Sequence, residues 1–93
     1  MIEGSTVIRR NPRTAFRDLS GDQGAVLLHL DTAAYHSMNE VGTAVWNLLE
    51  EDRTFSELIV GLRAQLDEEP PSLEDDIKEF LHALEGRDLI RIG

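Results

Sequence analysis

Hydrophobic and polar residues alternate along the first half of the chain and recur at helical spacing along the second half. The clearest alternation runs over Ala25–Leu30, where even-numbered residues fall on one face and odd-numbered residues on the other. A second alternating segment, Ala34–Met38, follows a short turn. A weaker one, Thr14–Leu19, precedes a loop at residues 20–24. Together these segments predict a three-stranded antiparallel sheet.

Three segments with apolar residues at helical spacing follow the strands. We predict helices over about 40–51, from 54 onward, and over 72–86 with Gly86 at the end, the last two separated by a polar linker at residues 67–71. The residues that begin them have side chains suited to capping free helix amides: Asn39, Thr54 and Ser72. Thr54 also has Glu57 three residues later, which is the form of a capping box.

The two ends of the chain give weaker signals. Val7–Ile8 is a short extended segment that Asn11–Pro12 ends, and we expect residues 1–12 to be frayed at the start. Residues 88–92 alternate, which fits either a short terminal strand or a segment that packs back on the core. Three strands followed by three helices predict a single α+β domain of winged helix-turn-helix type over residues 1–93.

The formal net charge of −9 limits the functional classes open to such a fold. Nucleic-acid binding depends on Lys and Arg that neutralise phosphates, so we expect no DNA or RNA partner. A chain without cysteine has neither disulfides nor thiolate metal sites. Because the chain contains neither an apolar segment of spanning length nor a secretory signal, we expect a cytoplasmic protein that does not enter the membrane.

Catalytic and metal-binding chemistry is poorly supported. The three histidines, His29, His36 and His82, have no metal-ligand spacing, and we expect them at the surface or its rim. The chain has no nucleophile elbow and no phosphate-binding glycine loop, so we expect neither a cofactor nor enzyme activity. Trp46 is expected to be a packing residue beside Val45.

An interaction surface remains. A sheet has unpaired backbone groups at its edges, and a peptide can add itself there as a further strand. The edge of Ala34–Met38 suits this role if the last helix lies beside it. On that helix one stripe is predicted to face a groove: Asp76, Phe80, Ala83 and Arg87. The neighbouring stripe is predicted core: Ile77, Leu81 and Leu84. Phe80 is either part of the groove or wholly core, and the pattern leaves both open.

The same segments resemble the PqqD-like family of precursor-peptide recognition elements. The resemblance covers roughly residues 24–92 and rests on the order of several short motifs: Tyr35-x-x-Met38-Asn39-Glu40-Val41-Gly42, Val45-Trp46 with Leu48-Leu49, Arg53-Thr54-Phe55-x-Glu57-Leu58-Ile59, Asp76-Ile77 with Phe80-Leu81 and Leu84, and Asp88-Leu89-Ile90. Two positions depart from the family pattern. Ala33 stands where a turn glycine is common, and Met38 stands where leucine is common.

The resemblance implies a non-catalytic adaptor of the free-standing, lasso-peptide type, which presents a precursor leader peptide to a leader peptidase and a cyclase. The leader, anchored by a Tyr, a Pro and a Leu, would add antiparallel to the third strand and lie against the third helix. The peptide-binding residues implied here are Ala34, Tyr35, His36, Ser37, Met38, Asp76, Ile77, Phe80, Ala83 and Leu84. Alternatives are a peptide chaperone for a radical-enzyme pathway and, against the charge, a winged-helix transcription factor.

Overall fold

The computed structural model describes residues 2–19, 24–66 and 69–93. The predicted loop at 20–24 and linker at 67–71 therefore fall partly outside the described residues. The elements in chain order are β1 (Val7–Arg10), β2 (Thr14–Asp18), β3 (Ala25–His29), β4 (Tyr35–Met38), α1 (Glu40–Leu48), β5 (Arg53–Thr54), α2 (Phe55–Gln65), α3 (Leu73–Gly86) and β6 (Ile90–Ile92). Within these ranges, no helix has the length and apolar character needed to cross a membrane.

The predicted three-stranded antiparallel sheet is confirmed, with β3 in the centre and β2 and β4 on either side. In this register Leu27 pairs with Phe16 on β2 and with His36 on β4. Its inner face packs into the core, where Leu27 is fully buried, whereas Leu30 on the other face is 52% exposed. One face of the sheet thus supports the helices, and β4 lies at an edge.

A second antiparallel sheet forms from the two ends of the chain and the start of α2. Its central strand is β1, with β5 on one side and β6 on the other. Ile8 pairs with both Arg53 and Ile92, and Ile2 and Ile8 are buried. From Ile2 onward the chain is packed, so the described part of residues 1–12 does not show the frayed start that was expected. Of the two alternatives for the terminal segment, the short strand is the one observed.

Two of the three predicted helix caps form. The Asn39 side chain accepts a hydrogen bond from a first-turn amide of α1 at 2.9 Å, and Thr54 and Glu57 form the capping box of α2. Ser72 occupies the N-cap position of α3, but its hydroxyl donates to the Asp76 carboxylate at 2.9 Å and bonds no helix amide. The prediction that Ser72 caps α3 is therefore wrong, because its hydroxyl is hydrogen-bonded to the Asp76 carboxylate instead.

The end of α3 is built around Asp88. Gly86 is the last helical residue, as predicted, but the left-handed residue that turns the chain is Asp88, with a φ of 58°. Its amide donates to the carbonyl of Glu85 at 2.9 Å, and that of Leu89 donates to Leu84 at 3.0 Å. These are the two bonds of a Schellman motif, in which glycine usually holds the place of Asp88.

The core lies between the three helices and the inner faces of both sheets. Trp46 is 3% exposed, as expected for a packing residue. The Arg10 guanidinium lies 4.4 Å from the centroid of its ring and donates to its carbonyl oxygen at 2.6 Å. The largest fully buried side chains are Ile8, Leu27, Val45, Leu49, Leu58, Leu62, Leu81, Leu84, Leu89 and Ile90.

The turn between β3 and β4 contains a left-handed alanine. Ala33 has a φ of 62°, and its amide donates to the carbonyl of His29 at 3.0 Å. A left-handed conformation costs a residue with a Cβ about 1–2 kcal/mol. The departure from glycine at this position therefore has an energetic cost, which the hydrogen bonds of the turn offset.

Candidate functional site

One edge of β4 pairs with β3, and no described strand pairs with the other. The His29 amide donates to the Ala34 carbonyl at 2.8 Å, so this pair carries a ladder hydrogen bond. In an antiparallel ladder, bonded and non-bonded pairs alternate. Counting along β4 from Ala34, the backbone N–H and C=O groups of Tyr35 and Ser37 point away from β3. These two residues supply the donors and acceptors of the open edge.

The side chains of β4 and α3 meet at His36 and Phe80. Their ring centroids lie 5.6 Å apart, with the planes inclined at 63°, which is an edge-to-face contact. Phe80 is half-buried and packs against the core, so its ring is neither wholly core nor wholly exposed. Gly42 on α1 makes room for this ring, since a Cβ there would lie 3.1 Å from Phe80 Cζ.

An open groove of about 870 Å³ runs beside this contact. It is bounded by the end of β4, by one face of α1 and by Phe80. The lining residues from β4 and α1 are His36, Ser37, Met38, Glu40, Thr43, Ala44 and Asn47. The groove therefore overlaps the last part of the open strand edge and continues along the polar face of α1.

A smaller pocket of about 410 Å³ adjoins the groove between α1 and α3. Asn39 and Phe80 line both cavities, so the two are neighbours on one surface. The apolar residues of the pocket are Val41, Leu66, Pro70, Leu73, Ile77 and Phe80, with Asp76 among the polar ones. Such a mixture of an apolar lining and a few polar groups is typical of a site that receives a side chain.

Charge in this region is mostly negative. Asp18 and Glu40 line the groove, and Asp76 lines the pocket. Burial lowers the pKa of His36, and the positive charge of Arg87 lowers it further. The imidazole in the wall is therefore neutral at pH 7, so it presents an aromatic surface to the groove.

The structure brings most of the predicted site residues together. His36, Ser37, Met38 and Phe80 line the groove, and Asp76, Ile77 and Phe80 line the pocket. Ala34 and Tyr35 lie at the start of the open edge, where the Tyr35 side chain is 65% exposed. The surface is therefore continuous from the hairpin turn to the middle of α3.

The other predicted residues lie below or beside this surface. Ala83 is half-buried and Leu84 is fully buried, and neither lines the groove or the pocket. The side chains of Met38 and Ile77 are also almost fully buried. Met38, Ile77 and Leu84 can thus shape the surface mainly from the core side.

The contribution of α1 to the site was not among the predictions from sequence. Glu40, Thr43 and Asn47 recur at helical spacing and line the groove. Their signal was present, because α1 follows β4 almost directly and its first turn belongs to the motif that carried the family resemblance. Polar residues at this spacing equally indicate a face exposed to water, which is why they were not singled out.

The histidines are placed differently from one another. His82 is exposed and His36 is half-buried, but His29 is 3% exposed, so its predicted place at the surface or rim is wrong. His29 lies inside because both of its ring nitrogens are hydrogen-bonded, Nδ1 to the nearby amides of Asp31 and Thr32 and Nε2 to the distant Asp88 carboxylate. Among the described residues, no group of three or more His, Cys, Asp or Glu side chains is placed to hold a metal ion.

Together these features define a class of protein: a winged helix-turn-helix α+β domain with an open strand edge beside a helix-lined groove. Residues 24–90 match the family described as coenzyme PQQ synthesis protein D (PqqD). Since this match covers most of the chain, the chain belongs to the PqqD family, and the resemblance drawn from its motifs is confirmed. No curated protein matched the chain.

Two solved structures are similar to this chain. One is described as "TbiB1 in Complex with the TbiA(beta) Leader Peptide", with 30% sequence identity, a TM-score of 0.72, and coverage of 89% of this chain and 94% of that one. The other, "Lasso peptide synthetase B1 complexed with the leader peptide", has 20% identity, a TM-score of 0.69, and coverage of 90% and 96%. The second likeness concerns the fold alone.

Proposed function

We propose that the chain is a non-catalytic adaptor that binds the leader peptide of a ribosomally made, lasso-type precursor and presents it to the leader peptidase and the cyclase. The observation that carries the proposal is the open edge of β4 beside the groove at Phe80. The leader-peptide complex of the 30% identical TbiB1 supports it. Because the precursor is a ribosomal product, the encounter is proposed to occur in the cytoplasm.

Binding begins with the backbone in this proposal. An extended leader segment adds antiparallel to β4 and pairs with the outward N–H and C=O groups of Tyr35 and Ser37. Main-chain pairing of this kind gives affinity without strong dependence on sequence. The flanking residues Ala34, His36 and Met38 complete the strand that the leader extends.

Side chains then select the peptide. Along an added strand, alternate residues point toward the inner face, where His36 and Phe80 stand. We place an apolar anchor of the leader against Phe80 and in the pocket beside it, with Asp76 at the pocket's polar lining. Ala83 extends the same stripe of α3, while Ile77 and Leu84 support it from the core.

Presentation acts through effective concentration. A leader held on the adaptor brings its attached core peptide to an enzyme bound to the same complex at about millimolar effective concentration. The adaptor needs no catalytic residue for this role. Its acidic surface, with a net charge of −9, would favour a neutral or basic partner and disfavour nucleic acid.

Fluorescence polarisation of a labelled leader peptide, taken from the precursor gene beside this one, tests the proposal. We expect saturable binding at micromolar or lower concentration of the chain, lost when the Tyr or Leu anchor of the leader becomes Ala. A peptide of the same composition in scrambled order is the control for charge. Absence of saturable binding, or equal binding of the scrambled peptide, would overturn the proposal.

A second candidate keeps the adaptor and changes the pathway. The family is described by its role in coenzyme PQQ synthesis, which favours a peptide chaperone for a radical enzyme. The two candidates differ in the peptide that binds. Competition between a lasso leader and a PQQ-type precursor for the same labelled complex would separate them, since only the true substrate class should displace the label at low concentration.

A further inference from the structure

Two polar residues, Asn11 and His29, are buried in the described part of the chain, at 2% and 3% exposure. Both contact Asp88. The Asn11 Nδ2 group donates to the Asp88 carbonyl oxygen at 2.7 Å, and His29 Nε2 lies 3.0 Å from the Asp88 Oδ2 atom. Burying a polar group costs free energy unless the group is hydrogen-bonded. The contacts of Asn11 and His29 with Asp88 therefore stabilise the burial of both side chains.

The hydrogen bonds define the state of the His29 ring. Its Nδ1 atom accepts from the amides of Asp31 and Thr32, at 3.0 and 3.2 Å. The ring proton is therefore on Nε2, which donates to the Asp88 carboxylate. Asn11 Nδ2 also lies 3.4 Å from Nε2, but both groups are donors in this state and form no bond. The His29 ring thus bonds to the β3–β4 turn through Nδ1 and to Asp88 through Nε2.

The elements joined in this way are the end of β3, which leads through the turn into β4, and the segment that follows α3. His29 ends β3 immediately before the turn that leads to β4, and Asp88 follows the last residue of α3 by two positions. Within the described residues, no backbone hydrogen bond joins β4 to α3. Two side-chain contacts contribute to their separation, His36 against Phe80 inside the site and His29 with Asp88 beyond its end, where the Asn11 amide also donates to the Leu89 carbonyl.

We propose that His29 and Asp88 are positioning residues for the peptide site, and that their contact fixes the distance between the β4 edge and α3. This inference rests on the proposed function. A peptide that enters beside Phe80 must displace or shift the ring contact with His36. The His29–Asp88 contact lines neither cavity, so it holds the walls in place while the groove is occupied.

A matched pair of substitutions at Asp88 tests this role. Asp88→Gly removes the carboxylate that accepts from the buried Nε2–H, which lowers stability, but it also relieves the left-handed backbone, so the chain should stay folded with a modestly lower melting temperature. Asp88→Asn keeps an oxygen that accepts from Nε2 and also tolerates the left-handed conformation. We expect D88G to bind the labelled leader about tenfold more weakly, and D88N to bind it almost as the original chain does.

A measurement on the unaltered chain does not depend on how the variants fold. Proton–nitrogen NMR of the imidazole rings, during titration with the leader, should show the His36 signals shifting with the same saturation as the polarisation signal, while the His29 Nε2–H signal stays in its hydrogen-bonded position. His82, which is exposed on α3 and lines neither cavity, is the control ring. Loss of the hydrogen-bonded His29 Nε2–H signal at saturation, or D88G affinity equal to that of the original chain, would overturn the positioning role alone. Absence of leader binding by the original chain would overturn the proposed function as well.

Discussion

The imidazole of His36 and the ring of Phe80 are in edge-to-face contact, with centroids 5.6 Å apart. His36 belongs to the strand with the open edge, and Phe80 belongs to the helix that forms the opposite wall. A titratable ring and an apolar ring thus meet at the centre of the site. Substitutions and pH changes at this point should therefore affect both stability and binding.

Acid should weaken the fold through His36. Its pKa is lowered in the folded chain, by burial first and then by Arg87, so the unfolded chain takes up a proton more readily. Well above the unfolded pKa of about 6.5, both states are neutral and this effect is absent. As the pH falls through about 6.5, the free energy of unfolding should decrease, and the loss is complete below the folded pKa.

Urea denaturation across this pH range measures that loss. His36→Gln should reduce the decrease in the free energy of unfolding between pH of about 7.5 and about 5.5, because the variant has no proton to take up at this position. His82→Gln, on the exposed face of α3, is the control and should keep the decrease. If both variants show the same pH dependence as the original chain, His36 is not the responsible group.

Proline at Ser37 should block peptide addition without unfolding the sheet. The Ser37 amide points to the open edge, where its loss breaks no ladder bond, and proline is tolerated at such edge positions. We expect leader affinity to fall about tenfold or more, since a main-chain hydrogen bond is lost and the ring obstructs the incoming strand. Fluorescence polarisation measures the affinity, and circular dichroism checks the fold.

Two further substitutions, Ser37→Ala and His36→Pro, are the controls for Ser37→Pro. Ser37→Ala keeps the backbone N–H and should bind the leader almost as the original chain does. His36→Pro removes an amide on the side of β3, so it should destabilise the hairpin itself. Full leader binding by Ser37→Pro would contradict strand addition at this edge.

Phe80→Ala should weaken leader binding about tenfold or more, because the ring lines both the groove and the pocket. The ring is half-buried, so we expect a loss of stability of about 1–3 kcal/mol, below the cost for a fully buried phenylalanine. Phe16→Ala is the matched control, since Phe16 is 39% exposed and lines neither cavity. Equal losses of affinity in the two variants would place the site elsewhere.

Ala33→Gly should stabilise the chain. Glycine relieves the left-handed strain of about 1–2 kcal/mol but increases the freedom of the unfolded chain, which leaves a net gain of about 0.5–1 kcal/mol. For a domain of this size the melting temperature should rise by about 2–8 °C. Ala34→Gly, with no positive φ to relieve, should lower it. A decrease on Ala33→Gly would show that the turn relaxes in solution to a conformation without strain.

Local patterns predicted the helices and the β2–β3–β4 sheet well, because helical spacing and alternation reflect which side chains a single element buries. Phe80 shows the limit of such patterns. Its spacing placed it between the core stripe and the outer stripe of α3. The structure shows that Gly42 and His36 lie next to the ring and that one side of the ring stays open.

Non-local pairing accounts for most of what the sequence did not predict. The strand β1 pairs with two very short strands, one after α1 and one at the far end of the chain, so neither has a strong pattern of its own. His29 shares a face with the buried Leu27, which indicated burial. Its polarity indicated the surface instead. The local pattern could not show that Asp88, far along the chain, is its hydrogen-bond partner.

The single tryptophan has a practical consequence. Trp46 is buried against Arg10, and it lines neither the groove nor the pocket. Its intrinsic emission should therefore report whether the chain is folded and change little when the site is occupied. Folding and ligand occupancy can thus be followed at two wavelengths in one sample, with Trp46 for the first and a dye on the peptide for the second.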